Sequence, residues 1–313
     1  MRQPAIATEG LTKTYGSTQA VSGLSLSVPC GSIYGFLGRN GAGKTSTIKM
    51  LLGLASPSSG TAQVLGMDIR RQSVAILQRT AFVSEKKTLY PSLTASDLVR
   101  FSRGFYPTWS DSAVEKYARL LEIPIKVPFE KLSNGNQTKV FLLLALCQGA
   151  DLLILDEPTT ALDPVSVDQL LRILAEDAAE RQSTVFFSSH QLEEMEHIVE
   201  YVGIIEGGKL LLESRLDDIK SDFRVITAAG NALPSQRSSQ ILSVKVEGNF
   251  HRYVVTRDGE EFAASLSRDG ATVTNIAPLG LREIFLQLVR KEQSCTSGNA
   301  GETPEFSASS LSS

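Results

Sequence analysis

The sequence predicts an α/β domain over residues 4–216 followed by a small α+β domain over residues 222–290. Two observations carry this. From Ile6 to about Glu213, short β-type runs alternate with helical patterns, as a layered α/β architecture requires. From about Asp222 the pattern changes to strand-like stretches between turn residues, closed by one amphipathic helix. A chain of 313 residues has room for both.

In the first domain, the runs Ile33 to Leu37, Leu152 to Leu155 and Thr184 to Ser188 are short, apolar and end in Gly, Asp or Ser. They read as strands buried on both faces of a parallel sheet, which places chemistry at their C-terminal ends. Residues 92–147 read as a helical subdomain. Thr94 with Asp97 makes a capping-box start, and Val114, Tyr117, Ala118 and Leu121 share a helix face. Asp163-Pro164 opens a helix whose Val167, Leu170, Leu171, Leu174 and Ala178 face one way, and Gly207-Gly208 joins a final hairpin.

In the second domain, Val244 to Val246 and Tyr253 to Thr256 are strand-like, and Leu281, Ile284, Phe285, Leu288 and Val289 share a helix face. Residues 291–313 are Ser-rich and poor in large apolar side chains, and are expected to be disordered.

Composition narrows the function classes. A net charge of -3 gives no basic footprint for nucleic acid, so none is expected as a partner. Cys30, Cys147 and Cys295 lie far apart without a CxxC pair, which argues against a disulfide framework or zinc knuckle and fits the cytoplasm. No apolar run is long enough to span a membrane, and the N-terminus lacks the regions of a signal peptide.

Gly38-Arg39-Asn40-Gly41-Ala42-Gly43-Lys44-Thr45-Ser46 fits the pattern G-x-x-x-x-G-K-S/T, between the strand Ile33 to Leu37 and a helix with Ile48, Leu51 and Leu52 on one face. A glycine-rich turn beside a lysine would be the bland reading, but the strand before and the helix after mark a P-loop. Its glycines let backbone N–H groups turn toward phosphates, and the helix N-terminus adds positive potential. Lys44 neutralises the β- and γ-phosphates, and the Thr45 hydroxyl is a magnesium ligand. The run Leu152 to Leu155 then leads into Asp156-Glu157. Asp156 suits the Mg²⁺, while Glu157 can orient or deprotonate an attacking water.

Between these two sites lies Leu132-Ser133-Asn134-Gly135-Asn136-Gln137, with Lys139 following. With it, the chain resembles the nucleotide-binding domain of the ABC superfamily over about residues 4–216, a P-loop NTPase fold. Ser133, Gly135 and Asn136 then belong to the signature motif, usually LSGGQ. Tyr15, in Leu-Thr-Lys-Thr-Tyr-Gly, resembles the aromatic that stacks on adenine. Thr160-Ala-Leu-Asp163 resembles the D-loop, Glu85 occupies the Q-loop position near Mg²⁺, and His190 resembles the switch histidine.

The resemblance implies an ATP hydrolase that binds ATP and Mg²⁺ and pairs with a second ATPase subunit, each P-loop facing the partner's signature loop. It further implies a separate integral membrane permease subunit at the cytoplasmic face of the membrane. The groove for that permease is expected after Glu85, around Leu89-Tyr90-Pro91. The segment Phe105 to Trp109 and Leu281-Arg-Glu-Ile-Phe285 resemble bacterial drug- and antibiotic-export members. Glu85 replaces the usual Gln, and Asn134 and Asn136 replace Gly and Gln, so an altered hydrolysis rate is expected. Asn134 would have to accept the backbone angle of a glycine. The rival reading is a soluble ABC-type ATPase of DNA repair or translation; the single cassette and the lack of a heptad run or basic stripe disfavour it.

Overall fold

A computed structural model of the chain describes residues 3–230 and 241–297. The chain divides into two compact units, residues 1–217 and 218–313.

The strands of the first unit are β1 (Ile6–Tyr15), β2 (Thr18–Leu24), β3 (Ser27–Val28), β4 (Ile33–Leu37), β5 (Ser59–Val64), β6 (Met67–Asp68), β7 (Thr80–Val83), β8 (Leu152–Asp156), β9 (Thr184–Ser189), β10 (Tyr201–Glu206) and β11 (Lys209–Arg215). Its helices are α1 (Lys44–Leu51), α2 (Ser73–Arg79), α3 (Ala95–Ser102), α4 (Asp111–Leu120), α5 (Asn134–Cys147), α6 (Pro164–Arg181) and α7 (Leu192–Met195), and α8 (Leu216–Asp222) leads out of it.

Two sheets organise this unit. The six-stranded sheet runs β11-β10-β4-β9-β8-β7, with β4, β7, β8, β9 and β10 parallel and β11 antiparallel at its edge. Every residue of β4, β8 and β9 is buried, as apolar runs covered on both faces must be. The smaller sheet, β2-β1-β5-β6 with β3 paired to β1, is antiparallel. One core joins the two sheets, from Ile6, Leu11 and Val21 through Ile48 and Met50 of α1 to Ile154 and Phe186.

The expected helical subdomain comprises α3, α4 and α5. Thr94 and Asp97 form the capping box of α3, and Ser110 and Ser133 cap α4 and α5. Helix α4 is held to α6 by the Tyr117 hydroxyl, which donates to Asp177 Oδ1 at 2.5 Å while Arg181 pairs with the same carboxylate at 2.8 Å.

The second unit holds β12 (Phe223–Ala229), β13 (Ile241–Glu247), β14 (Phe250–Thr256), α9 (Gly259–Arg268), β15 (Thr272–Pro278) and α10 (Leu281–Ser297). Its antiparallel sheet runs β13-β14-β12-β15, and Phe262, Ala263 and Leu266 of α9 pack on Ile226, Tyr253 and Val255. The sequence predicts two strands and one helix here, and the fold adds β12, α9 and β15. One expectation is corrected: α10 runs on through Ser297, so residues 291–297 are helical rather than disordered. The remainder of that stretch, 298–313, lies outside the described residues.

Candidate nucleotide site

The loop from Gly38 to Gly43 ends β4 and opens α1. Its glycines answer to space and to backbone angle. A Cβ on Gly38 would stand 2.5 Å from the Ile205 carbonyl, and one on Gly43, whose φ is +110°, would stand 2.5 Å from the Ala20 carbonyl. Lys44, buried, folds back so that its ammonium donates to the carbonyls of Gly38 at 2.6 Å and Arg39 at 3.2 Å. Ala20, Arg39, Asn40, Gly41, Gly43, Lys44, Thr45, Ser46, Glu85 and Glu157 line a cavity of about 480 Å³.

Asp156 and Glu157 arrive from the neighbouring strand end. Thr45 Oγ1 donates to Asp156 Oδ2 at 2.9 Å, and Ser188 Oγ donates to Asp156 Oδ1 at 2.6 Å, so the carboxylate is fixed from both sides. Glu157 is also buried. Its Oε2 meets His190 Nδ1 at 2.7 Å and accepts from Thr160 Oγ1 at 3.4 Å, and its Oε1 stands 3.1 Å from the Lys44 ammonium. That ion pair lacks hydrogen-bond geometry, and Oε1 has no hydrogen-bond partner among the described residues. A buried oxygen with unused accepting capacity is costly unless something else binds there.

The backbone at Glu157 is also unusual, with φ of +51° in the left-handed region. For a residue with a Cβ this costs roughly 1–2 kcal/mol. Pro158 follows and disfavours the right-handed alternative. The N–H of Glu157 is secured by the Ser188 carbonyl and hydroxyl, each at 3.2 Å, so the sheet holds the strained residue in place.

Other expected site residues lie apart from this cavity. Ser133 accepts from the N–H of Asn136 at 3.2 Å as the cap of α5, and Gly135 lies where a Cβ would be 3.1 Å from the Ala161 carbonyl. Neither they nor Asn136 line the cavity. Asn134 begins α5 without a positive φ, so the glycine-like backbone angle expected for it is not required. Asp163 is not directed at the cavity either: its carboxylate caps α6, accepting from the N–H groups of Val165 and Ser166 and the Ser166 hydroxyl. Those bonds, the Ser166 hydroxyl first, hold its pKa below the ordinary value. Tyr15, about half exposed, ends β1.

Two participants were not singled out from sequence. Ser188 pairs with Asp156 across β8 and β9, a relation that only the strand order reveals. Lys87, half-buried, donates to the Glu85 carbonyl at 3.2 Å; burial lowers its pKa, against the opposing charges of Glu85 and Asp156.

The model of the family described as ABC transporter matches residues 21–160. The chain is 38% identical over 259 residues to the bacitracin transport ATP-binding protein BcrA of Bacillus licheniformis, covering 81% of this chain and 83% of that protein. The chain belongs to the ABC transporter family.

It is also 30% identical to the daunorubicin/doxorubicin resistance ATP-binding protein DrrA of Streptomyces peucetius, over 91% of this chain and 92% of that one. Among solved structures, an ATP-binding subunit of an ABC transporter superposes with a TM-score of 0.64 at 25% identity, over 69% of this chain and 92% of that chain. A dimeric bacterial ABC transporter cassette gives 0.62 at 21% identity, over 67% of this chain and 98% of its own. This ABC protein is accordingly an ATP-binding, ATP-hydrolysing subunit of an ABC transporter, and the reading as a repair or translation ATPase is not favoured.

Proposed function

We propose that Glu157 is the base of a magnesium-dependent ATP hydrolysis, carried out by a pair of these subunits mounted on a separate membrane permease, and that the pair drives export of drug- or antibiotic-like molecules. The observation that carries the chemistry is the buried Glu157 carboxylate, with one oxygen on His190 and the other beside Lys44 and otherwise unbonded.

Each residue then has a step. Lys44, already held over the loop by two carbonyls, neutralises the β- and γ-phosphates as they enter the cavity. Entry draws Lys44 away from Glu157 Oε1, which frees that oxygen to accept a proton from the attacking water. His190 holds Oε2 so that the carboxylate keeps its direction. The Thr45 hydroxyl and Asp156 carboxylate, 2.9 Å apart, are hard oxygen donors of the kind Mg²⁺ takes. These two residues would hold the ion, and Glu85 is a further carboxylate lining the cavity. When bound, the ion neutralises charge on the β- and γ-phosphates.

Ser133 and Asn134 at the start of the signature loop are exposed, and the loop does not line its own chain's cavity, which suits a loop that covers a partner's γ-phosphate. The γ-phosphate would supply the differential contact favouring the closed pair, and hydrolysis would remove it. No described helix is long and apolar enough to cross a membrane. Tyr90 is exposed, and Phe101 and Phe105 form an exposed aromatic pair with ring centroids 5.0 Å apart, apolar surface of the kind a permease can cover. The roles of the relatives in bacitracin transport and in daunorubicin/doxorubicin resistance support that kind of cargo. We place the subunit on the cytoplasmic face of the membrane, held there by the permease.

Glu157→Gln tests the assignment. Turnover should fall by about 10²–10⁴-fold while ATP binding persists and a dimer accumulates on sizing with ATP. Unchanged turnover would remove Glu157 from its role.

A further inference from the structure

Lys13 and Tyr15 are two residues apart on β1, where its pairing with β2 shifts register between Lys13 and Thr14. The Lys13 ammonium stands 4.9 Å from the centroid of the Tyr15 ring, within cation–π range. The same ammonium donates to the Ser56 carbonyl at 2.6 Å. Ser56 is in the segment after α1, whose Leu54 and Ala55 N–H groups return to the Lys49 carbonyl of that helix. Across this segment, Thr14 N–H donates to Ser58 Oγ at 3.0 Å and Ser58 N–H to the Thr12 carbonyl at 2.8 Å. Lys13 thus ties an aromatic ring, about half exposed, to the far end of the helix whose near end is the P-loop.

We infer that Lys13 is a positioning residue for the nucleotide base: it covers one face of the Tyr15 ring and fixes it, so that the opposite face is presented to adenine at a set distance from the phosphate loop. This rests on reading Tyr15 as the base-stacking aromatic. Two physical effects act together. A ring held by a cation and a strand loses less freedom when a base stacks on it. The ammonium also draws π density toward its own side, leaving the outer face better suited to an electron-rich purine.

The test compares ATP with inorganic tripolyphosphate, which has the phosphates and no base. Binding of each to the full-length protein is measured by calorimetry with Mg²⁺ for wild type, Lys13→Ala, Lys13→Met, Lys13→Arg and Tyr15→Ala. Lys13→Ala and Lys13→Met should weaken ATP by about two- to fivefold and leave tripolyphosphate unchanged. Lys13→Arg, which keeps the cation, should restore ATP binding. In turnover, the loss should appear in KM with kcat preserved.

Equal weakening of ATP and tripolyphosphate by Lys13→Ala would mean that the P-loop helix had shifted, and would overturn the inference. So would unchanged ATP affinity in Lys13→Ala beside a loss of about tenfold or more in Tyr15→Ala, an outcome that leaves base stacking intact. If Tyr15→Ala itself binds ATP as wild type does, the stacking role of Tyr15 falls and the inference with it.

Discussion

Glu157 and Glu213 are both carboxylates drawn in from solvent in the same unit, and their surroundings differ in kind. Glu213 accepts from the hydroxyl of the fully buried Tyr34 at 2.7 Å and from the Ser27 N–H at 2.9 Å, both on one oxygen. It lies within β11, on a residue without positive φ. Glu157 has a cation on one side, a histidine on the other, a strained backbone and an unbonded buried oxygen. The first acid is satisfied and ties strands together; the second is kept incomplete at a cost. Strain and unmet bonding concentrate where a ligand is to complete the set.

The sharpest way to break that contrast is Lys44→Ala. It removes the phosphate counter-charge and leaves Glu157 without its ion pair, so turnover should drop by about a thousandfold and ATP affinity should collapse, as read by phosphate release and calorimetry. Near-normal affinity would show that the loop is not the phosphate site. Ser188→Ala should cost less, about 10–100-fold in turnover, because Asp156 and the N–H of Glu157 each lose a partner. Its mark would be a higher Mg²⁺ requirement at saturating ATP.

On the other side of the contrast, Tyr34→Phe should leave ATPase activity alone while lowering stability by about 1–2 kcal/mol in chemical unfolding. The lost hydroxyl is a donor that burial and the Glu213 charge both keep protonated, since each raises its pKa. A matching fall in turnover would mean that the two acids are coupled.

How much of this was legible without coordinates depended on whether the information was local. The P-loop could be read because strand, loop and helix follow one another in the chain, and Gly38 and Gly43 are where a Cβ has no room. Asp156 and Glu157 could be read from the apolar run before them. The left-handed backbone of Glu157 and the hold of Ser188 could not, because both follow from β8 lying beside β9, and strand order is a property of tertiary pairing. Asp163 carries two readings in the sequence, a D-loop residue by resemblance and a helix start from the Pro that follows, and the chain by itself shows the second, with Asp163 capping α6.

The second unit was harder for the same reason. Its strand β12 follows α8 without an intervening turn, β15 breaks apolar alternation where Thr274 and Asn275 stand side by side, and α9 opens at Gly259, where turn chemistry masks the helix. Helix α10 continues past residue 290 through polar residues. Once a helix is nucleated each added residue costs little, so the fading of the apolar pattern did not mark its end.

The smallest effect expected is also the one whose sign most directly tests the contrast. In Glu213→Gln the side-chain carbonyl can still accept from Tyr34 and Ser27, so the bonds survive and only the charge is removed. Burial raises the pKa of Glu213 above its ordinary value of 4.5, more than the Tyr34 and Ser27 bonds lower it. An acid raised in this way binds its proton more tightly in the folded chain than in the unfolded one. Stability therefore falls as pH climbs from the unfolded value through the folded one, and the cost is in place above it. Removing the charge should raise the melting temperature at pH 7 by a degree or two, less than about 1 kcal/mol for a unit of this size, with turnover unchanged. Below both values the acid is protonated in either state, so the advantage should shrink as the melts are repeated toward pH 4. A lower melting temperature at pH 7 would show that the charge on Glu213 stabilises the fold, and the division between a satisfied acid and an incomplete one would then have to be redrawn.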